Sequence, residues 1–260
     1  MDDAPRESVL AAAEEGVVAL SLNMRGVVLC EGRESADVRV RVLMATLSLW
    51  RQPQLLALQE IGGGQESLAC LRTLLRRRGY DAAGRPGEEA RSRVDGHRRG
   101  GVLVAWHRAA FTAARGCAID GARGAGVACL TQADIDEWRG GQRCSGEVAA
   151  ALSLYAGRRA VAVHLVRRKG VRANQPILVS SVYVPAQAQP AVRAAFICLV
   201  SRRVAALAEQ TAMRYISLGD WQAAPSPQWR ACGSPNRAHD DALRDIYWGA
   251  APGVGGGSQW

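Results

Sequence analysis

The chain contains the stretch YISLGDWQAAPSP at Tyr215–Pro227, in which a short apolar run ends at a glycine and an acid follows at once. A run of this kind predicts a buried strand that stops at Gly219 and places the Asp220 carboxylate at its end. The amide of Gln222 follows two residues later. One strand that ends on an acid is ordinary, so the interpretation depends on whether other strands end in the same way.

Three other apolar runs also deliver an oxygen-bearing side chain. VVALSLN ends on Asn23, LLALQE ends on Glu60, and LVSSVYVP carries Tyr183 close to its end. Ligands of open α/β sheets bind beyond the strand ends, so we expect these residues and Asp220 to share one edge. Two carboxylates with amides suit a hard cation such as Mg²⁺, which prefers oxygen ligands. Each acid alone is explained as well by a strand cap or an arginine partner, whereas the four together favour a site.

Strands and helices are mixed along the chain, which predicts an α/β fold with some antiparallel pairing in the middle. EVAAALSLYAG and RAVAVHLV predict a hairpin that turns at GRR. Predicted strands cover Val17–Met24, Leu55–Glu60, Gly100–His107, Pro176–Pro185 and Tyr215–Leu218, and predicted helices cover Asp37–Arg51, Glu66–Tyr80 and Gln189–Ala212.

Composition indicates a globular protein with a sizeable core, since 48% of the 260 residues are apolar and 22% are charged. No apolar stretch approaches the ~20 residues that span a bilayer, and the acidic N-terminus does not resemble a signal peptide. The seven cysteines are scattered without a C-x-x-C pair. This pattern favours free thiols in a reducing compartment, hence an intracellular location, cytoplasmic or nuclear, and argues against a zinc site.

The net charge of +9 indicates a polyanionic partner, with Arg98 and Arg99 as candidate nucleic-acid contacts beside the Gly-Gly strand. The alternative is that the arginines reflect the base composition of the coding DNA. No feature indicates a membrane or an obligate protein partner.

Five motifs, taken in chain order, resemble the endonuclease/exonuclease/phosphatase superfamily, which has the DNase I-like fold and includes the endonuclease domains of LINE-type retrotransposons. The matching segments are SLNMRG, LLALQEI, GGVLVAW, VYVP and the GD-aromatic stretch, and LRDIYW is similar to the segment that usually follows. The resemblance implies a four-layered sandwich of two packed mixed β-sheets flanked by helices. It also implies hydrolysis of a phosphodiester or phosphomonoester with Mg²⁺ or Mn²⁺.

The resemblance further implies a role for each motif residue. Glu60 and Asn23 match the metal site, Tyr183 matches the contact to the scissile phosphate, and Asp220 matches the residue that orients or deprotonates the attacking water. Gln222 stands where the family has asparagine.

Two departures from the family pattern predict that the chain hydrolyses DNA or phosphate esters poorly or not at all. Gln222 is one methylene longer than asparagine, and a misplacement of ~1 Å can cost on the order of 100-fold in rate. The family's last strand carries an Asp-His pair, but after Asp220 the sequence contains only His239, in the order His-Asp. A second hypothesis therefore stays open, namely a non-catalytic relic or fragment that keeps the fold and binds polyanions. The predicted organisation is a tail at 1–15, a family-like domain at 16–248 without the Asp-His strand, and a glycine-rich disordered tail at 249–260.

Overall fold

The computed structural model describes most of the chain between residues 17 and 220. The described ranges are 17–29, 38–48, 52–87, 100–114, 126–141, 146–168, 173–185, 188–210 and 214–220. The predicted tails at 1–15 and 249–260 lie outside these ranges, as does the LRDIYW segment.

Nine strands and five helices make up the described part of the chain. The strands are β1 (Ala19–Val27), β2 (Leu55–Ile61), β3 (Tyr80–Arg85), β4 (Gly101–His107), β5 (Phe111–Ala113), β6 (Val127–Ala128), β7 (Ala160–Arg167), β8 (Pro176–Tyr183) and β9 (Arg214–Asp220). The helices are α1 (Val38–Leu47), α2 (Gly64–Arg77), α3 (Gln132–Gly141), α4 (Gly146–Ser153) and α5 (Pro190–Gln210).

The strands form two mixed sheets. In the first sheet the order is β1-β2-β4-β3, with β1 and β2 parallel and the other pairs antiparallel. In the second sheet the order is β5-β7-β8-β9, with β6 also on β7, and only β8 and β9 are parallel. Each sheet therefore has one parallel pair, and the carboxyl ends of the two strands in such a pair lie at the same edge.

The layers are held together by apolar side chains on both faces of the first sheet. One core cluster lies between this sheet and the helices α1 and α2, and includes Leu43, Leu58 and Leu71. A second cluster joins the two sheets and includes Val104 and Val179. Helix α5 contacts β8 and β9 and buries one side of its length. The predicted fold class, two packed mixed sheets with flanking helices, is confirmed.

The hairpin predicted at 147–166 is wrong in its first half, because residues 146–153 form helix α4. Alanine and leucine are strong helix formers, and a short apolar run cannot be assigned from periodicity alone. Ala149 and Leu152, three residues apart, face the interior as a helix requires. The second half is a strand as predicted, and it pairs with β8.

His164 is buried in β7, and neither ring nitrogen has a hydrogen-bond partner among the described residues. Burial lowers the pKa of His164 from its ordinary 6.5, because the charged imidazolium loses its hydration.

This burial predicts a stability that falls as the pH falls below about 6.5. The unfolded chain binds a proton there, whereas the folded chain does not until the pH reaches the lowered pKa of His164. Urea unfolding at a series of pH values measures the effect, and His164→Leu should reduce it. Burial and the neighbouring Arg108 also lower the pKa of His107. The stability of His164→Leu should therefore still fall at low pH, but less than that of the parent chain. A His164→Leu variant with the full pH dependence would contradict the prediction.

None of the helices in the described ranges is long and apolar enough to cross a membrane.

Candidate active site

Two of the predicted site residues are delivered by the parallel pair of the second sheet. Tyr183 is the last residue of β8 and Asp220 is the last residue of β9, and the two are paired in register. The backbone N–H of Val184 donates to the Asp220 carbonyl at 2.9 Å, so the pairing continues to the strand end. Gly219 permits this approach, since a Cβ there would lie 2.2 Å from the Val182 carbonyl oxygen.

Asn23 joins the first sheet to this edge. Its Nδ2 donates to Asp220 Oδ2 at 2.6 Å, across 197 positions of sequence. The strand does not end at Asn23 as the sequence predicted, because β1 continues to Val27. However, Asn23 is the last residue of β1 in the regular pairing with β2, because the register shifts between Asn23 and Val27.

The orientation of the Asn23 amide follows from its two neighbours. The N–H of Arg25 donates to one amide atom at 2.7 Å, and only an oxygen can accept that bond. The nitrogen must then face Asp220, which needs a donor. Asn23 therefore fixes the orientation of the Asp220 carboxylate.

Glu60 lies in β2 at a break in the pairing with both neighbouring strands. Its φ is 54°, in the left-handed region that residues with a side chain rarely adopt. Pairing with β4 shifts between Leu58 and Ile61, and a bulge of this kind redirects a side chain. The redirected carboxylate accepts a hydrogen bond from the Tyr183 hydroxyl. Backbone strain of this kind is frequent at functional sites.

Gly100 makes the conformation of Glu60 possible, because a Cβ at position 100 would lie 2.4 Å from the Glu60 Cα. We expect Gly100→Ala to lower the free energy of unfolding by roughly 1–3 kcal/mol, the usual cost of overpacking. The matched control is Gly140→Ala in α3, where the added Cβ meets nothing within 4 Å. That change should raise stability by up to about 1 kcal/mol, as alanine favours a helix. Equal stability of the two variants in urea unfolding would contradict this account of Gly100.

Tyr183 is a neutral hydrogen-bond donor at physiological pH. Burial raises its pKa, the hydrogen bond to Glu60 and the negative charges of Glu60 and Asp220 raise it further, and only the Arg159 cation lowers it. The guanidinium of Arg159 lies 4.3 Å from the centre of the Tyr183 ring, and the Tyr183 N–H donates to the Arg159 carbonyl at 2.8 Å. Arg159 is itself buried. It holds the tyrosine ring in place from the β7 side.

A buried polar bridge lies next to the site and connects the sheets a second time. Gln59 Nε2 donates to Ser181 Oγ at 3.2 Å, and Ser21 Oγ donates to Gln59 Oε1 at 3.4 Å. Ser181 Oγ in turn donates to the Leu58 carbonyl at 3.3 Å. The bridge sets the relative position of β1, β2 and β8, which is what lets Asn23 reach Asp220.

Sequence reasoning assigned no role to Arg159 or to Gln59. Arg159 directly precedes an apolar strand, and in an antiparallel pair the start of β7 faces the end of β8. The pairing of Ala160 with Val182 places Arg159 beside Tyr183. The sequence shows Arg159 directly before β7, but it did not predict the pairing of β7 with β8 that brings Arg159 to Tyr183.

The donor set of this edge fits a magnesium-type cation. Its available groups are the Glu60 and Asp220 carboxylates and the Asn23 amide oxygen, which keeps a second lone pair beside the Arg25 N–H. Within the described ranges, no three His, Cys, Asp or Glu side chains gather as they would around a zinc ion. Mg²⁺ commonly takes only one or two carboxylates and keeps several waters, so the set is sufficient.

Three of the predicted site residues lie outside the described residues, and two histidines within them do not reach this edge. Gln222, Arg98 and Arg99 fall outside those ranges, and their roles stay predictions. His107 lies at the opposite end of the first sheet, where it pairs with Tyr80. His164 is five residues along β7 from Arg159 and is buried, so it takes no part in the site.

Comparisons with known proteins find similar solved structures. No protein-family model matches the chain, and neither does any curated protein. The catalytic domain of human Nocturnin with bound sulfate is 15% identical, with a TM-score of 0.48 over 83% of this chain and 66% of that one. An endonuclease/exonuclease/phosphatase family protein from Bacteroides thetaiotaomicron is 14% identical, with a TM-score of 0.47 over 82% of this chain and 66% of that one.

A humanized D. rerio TDP2 carrying 14 mutations is also 14% identical, with a TM-score of 0.46 over 80% of this chain and 66% of that one. The chain thus spans slightly less than two thirds of the length of each of these structures. One of the three is named as a member of the family that the sequence motifs resemble. At this identity the likeness concerns the fold alone.

Proposed function

We propose that this chain is a metal-dependent phosphoesterase of the endonuclease/exonuclease/phosphatase superfamily, of the nuclease type, that hydrolyses phosphodiester bonds in nucleic acid. The observation that carries the proposal is the 2.6 Å hydrogen bond from Asn23 to Asp220. It joins the two sheets at the edge where the Glu60 carboxylate meets Tyr183. The net charge of +9 favours a polyanionic substrate over a small phosphate ester.

In the proposed mechanism Glu60 and Asn23 hold Mg²⁺ or Mn²⁺ through carboxylate and amide oxygens. When bound, the cation neutralises charge on the phosphate and favours deprotonation of a nearby water. Glu60 is preset for this task by its redirected backbone, with φ of 54°, and by its hydrogen bond from Tyr183. Less reorganisation is then needed when the substrate arrives.

Asp220 orients the attacking water and accepts its proton, and Asn23 holds the carboxylate in one orientation for that step. When substrate binds, the Tyr183 hydroxyl turns its single O–H from Glu60 to a phosphate oxygen. Its raised pKa keeps the phenol protonated throughout the physiological range, so it acts as a donor and never as a base. Gln222, two residues after Asp220, is proposed to align the same phosphate.

We propose that hydrolysis is slow, because Gln222 stands where the family has asparagine, and a misplacement of ~1 Å can cost on the order of 100-fold in rate. The remaining groups, a carboxylate base and a metal site, still support catalysis above the rate in water.

The test is nicking of supercoiled plasmid in Mg²⁺ or Mn²⁺, compared with the same protein in EDTA. We expect slow nicking that requires the metal and is lost in Glu60→Ala and Asp220→Ala. Binding of the plasmid without any nicking above those two variants would favour the other hypothesis, a non-catalytic protein that binds polyanions.

A further inference from the structure

Five exposed arginines gather at the end of the two sheets that lies opposite the candidate active site. Three of them, Arg76, Arg77 and Arg78, end helix α2, and the other two are Arg108 and Arg168. We refer to these five residues as the distal arginine cluster.

Hydrogen bonds between their segments hold the cluster together. Arg108 follows β4, and its guanidinium donates to the Arg76 carbonyl at 3.1 Å and to the Gly79 carbonyl at 3.3 Å. The backbone N–H of Arg168 donates at 2.8 Å to the carbonyl of Ala110, two residues after Arg108. The cluster therefore extends from the first sheet to the second.

Strand direction separates the cluster from the active site. Gly100, at the start of β4, is in contact with Glu60, whereas Arg108 follows the other end of the same strand. Seven residues of β-strand span roughly 20 Å. A ligand at the cluster is thus too far from Asp220 to be the group that is cleaved.

Charge at this end of the protein is strongly one-sided. The segments 76–85, 101–114 and 160–168 contain a single acidic residue, Asp81. A positive charge in the last turn of a helix is stabilised by the helix dipole, which explains Arg76 and Arg77 in part. It does not explain Arg108 and Arg168, which belong to other elements.

We propose that the distal arginine cluster binds the phosphate backbone of nucleic acid. The guanidinium fork matches the two oxygens of a phosphodiester, and a row of such groups tracks a backbone without reading its sequence. A membrane surface is the less suitable partner, since membrane-binding faces combine basic residues with large apolar side chains. No large hydrophobic side chain is exposed in the described residues 76–79, 107–110 and 168.

The proposal is independent of hydrolysis and is tested in EDTA, by fluorescence anisotropy with short duplex DNA, single-stranded DNA and single-stranded RNA. Each arm measures the dissociation constant between about 50 and 200 mM salt. The test variant replaces Arg76, Arg77 and Arg78 by glutamine. The matched control makes the same change in overall charge at the exposed Arg41, Arg139 and Arg202.

We expect the test variant to weaken binding about tenfold or more at low salt for at least one of the three probes. The slope of log Kd against log salt should fall by about one for each phosphate that the variant no longer neutralises. The control variant should change both quantities much less. Arg77→Glu provides a single-site check should the triple variant not fold. Replacement of all three arginines by lysine keeps the charge but not the fork, so it should restore the salt slope and only part of the affinity.

Equal losses in the test and control variants would overturn the proposal, because binding would then depend only on total charge. Unchanged nucleic-acid binding together with lost binding to phosphatidylserine vesicles would overturn it in favour of a membrane. Failure of the proposed hydrolysis is distinguishable from either result, since the binding assay contains no metal.

Discussion

Replacing Asp220 by asparagine is expected to slow metal-dependent phosphodiester hydrolysis by at least about 100-fold, the typical contribution of a positioned acid–base group. The substitution keeps the shape of the side chain but removes its capacity to take a proton. Its amide oxygen can still accept the hydrogen bond from Asn23, so the connection between the sheets persists. The loss should appear in kcat at saturating metal, with little change in the metal concentration that is required.

The control for this substitution is Asp136→Asn, the same chemical change on an exposed face of α3. It should leave the rate unchanged. Unfolding in urea should give similar midpoints for both variants and the parent chain. A fully active Asp220→Asn protein would remove Asp220 from the mechanism and leave the hydrogen bond to Asn23 as a purely structural contact.

The carboxyl ends of β8 and β9 could be predicted from the sequence because they depend on local patterns, whereas β1 and β2 continue past Asn23 and Glu60. An apolar run that stops at a polar residue specifies a buried strand and the side chain that follows it. The parallel pairing of β8 with β9 then brings Tyr183 and Asp220 together in register. To predict that Asn23 and Glu60 lie near these two residues, only one assumption is needed, namely that the four strands place these residues at the same edge.

The rest of the site depends on register between segments far apart in sequence, which no local pattern contains. Asn23 reaches Asp220 across the contact between the two sheets, which the buried Gln59 also crosses in its hydrogen bond to Ser181. The stacking of Arg159 on Tyr183 requires the pairing of β7 with β8, and the sequence suggested a different partner for β7.

Backbone conformation is a second feature that local patterns missed. The left-handed φ of Glu60 opposes the preference of a residue with a side chain, and it is permitted by Gly100, forty positions away. Propensity predicts a regular strand at Glu60, so the irregularity that aims the carboxylate could not be foreseen. Conflicts of this kind between local preference and tertiary structure are expected at functional sites.

The position of the distal arginine cluster depends on strand pairing and cannot be deduced from the net charge of the chain. The sequence has a net charge of +9 and suggests Arg98 and Arg99, which lie outside the described ranges. Only the antiparallel pairing of β3 with β4 and of β5 with β7 places Arg78, Arg108 and Arg168 at one end of the sheets. Association at one end and cleavage at the other would let a long substrate gain affinity without altering the chemistry.

Replacing Glu60 by glutamine is expected to act on the metal and so to differ in kind from the Asp220 substitution. Glutamine keeps the volume and an oxygen that accepts the hydrogen bond from Tyr183, but it removes the charge that attracts the cation. We expect the concentration of Mg²⁺ or Mn²⁺ for half-maximal nicking to rise about tenfold or more, equivalent to ~1.4 kcal/mol of binding free energy. Part of the rate should return at high metal concentration.

A direct measurement separates this effect from catalysis. Titration of Mn²⁺ by calorimetry without substrate should show weaker binding in Glu60→Gln and a smaller change in Asp220→Asn. Glu137→Gln, on the exposed face of α3, is the matched control and should bind Mn²⁺ as the parent chain does. If Glu60→Gln bound Mn²⁺ with unchanged affinity, the cation would have to be held elsewhere. The strained backbone at Glu60 would then serve the hydrogen bond to Tyr183 and not a metal site.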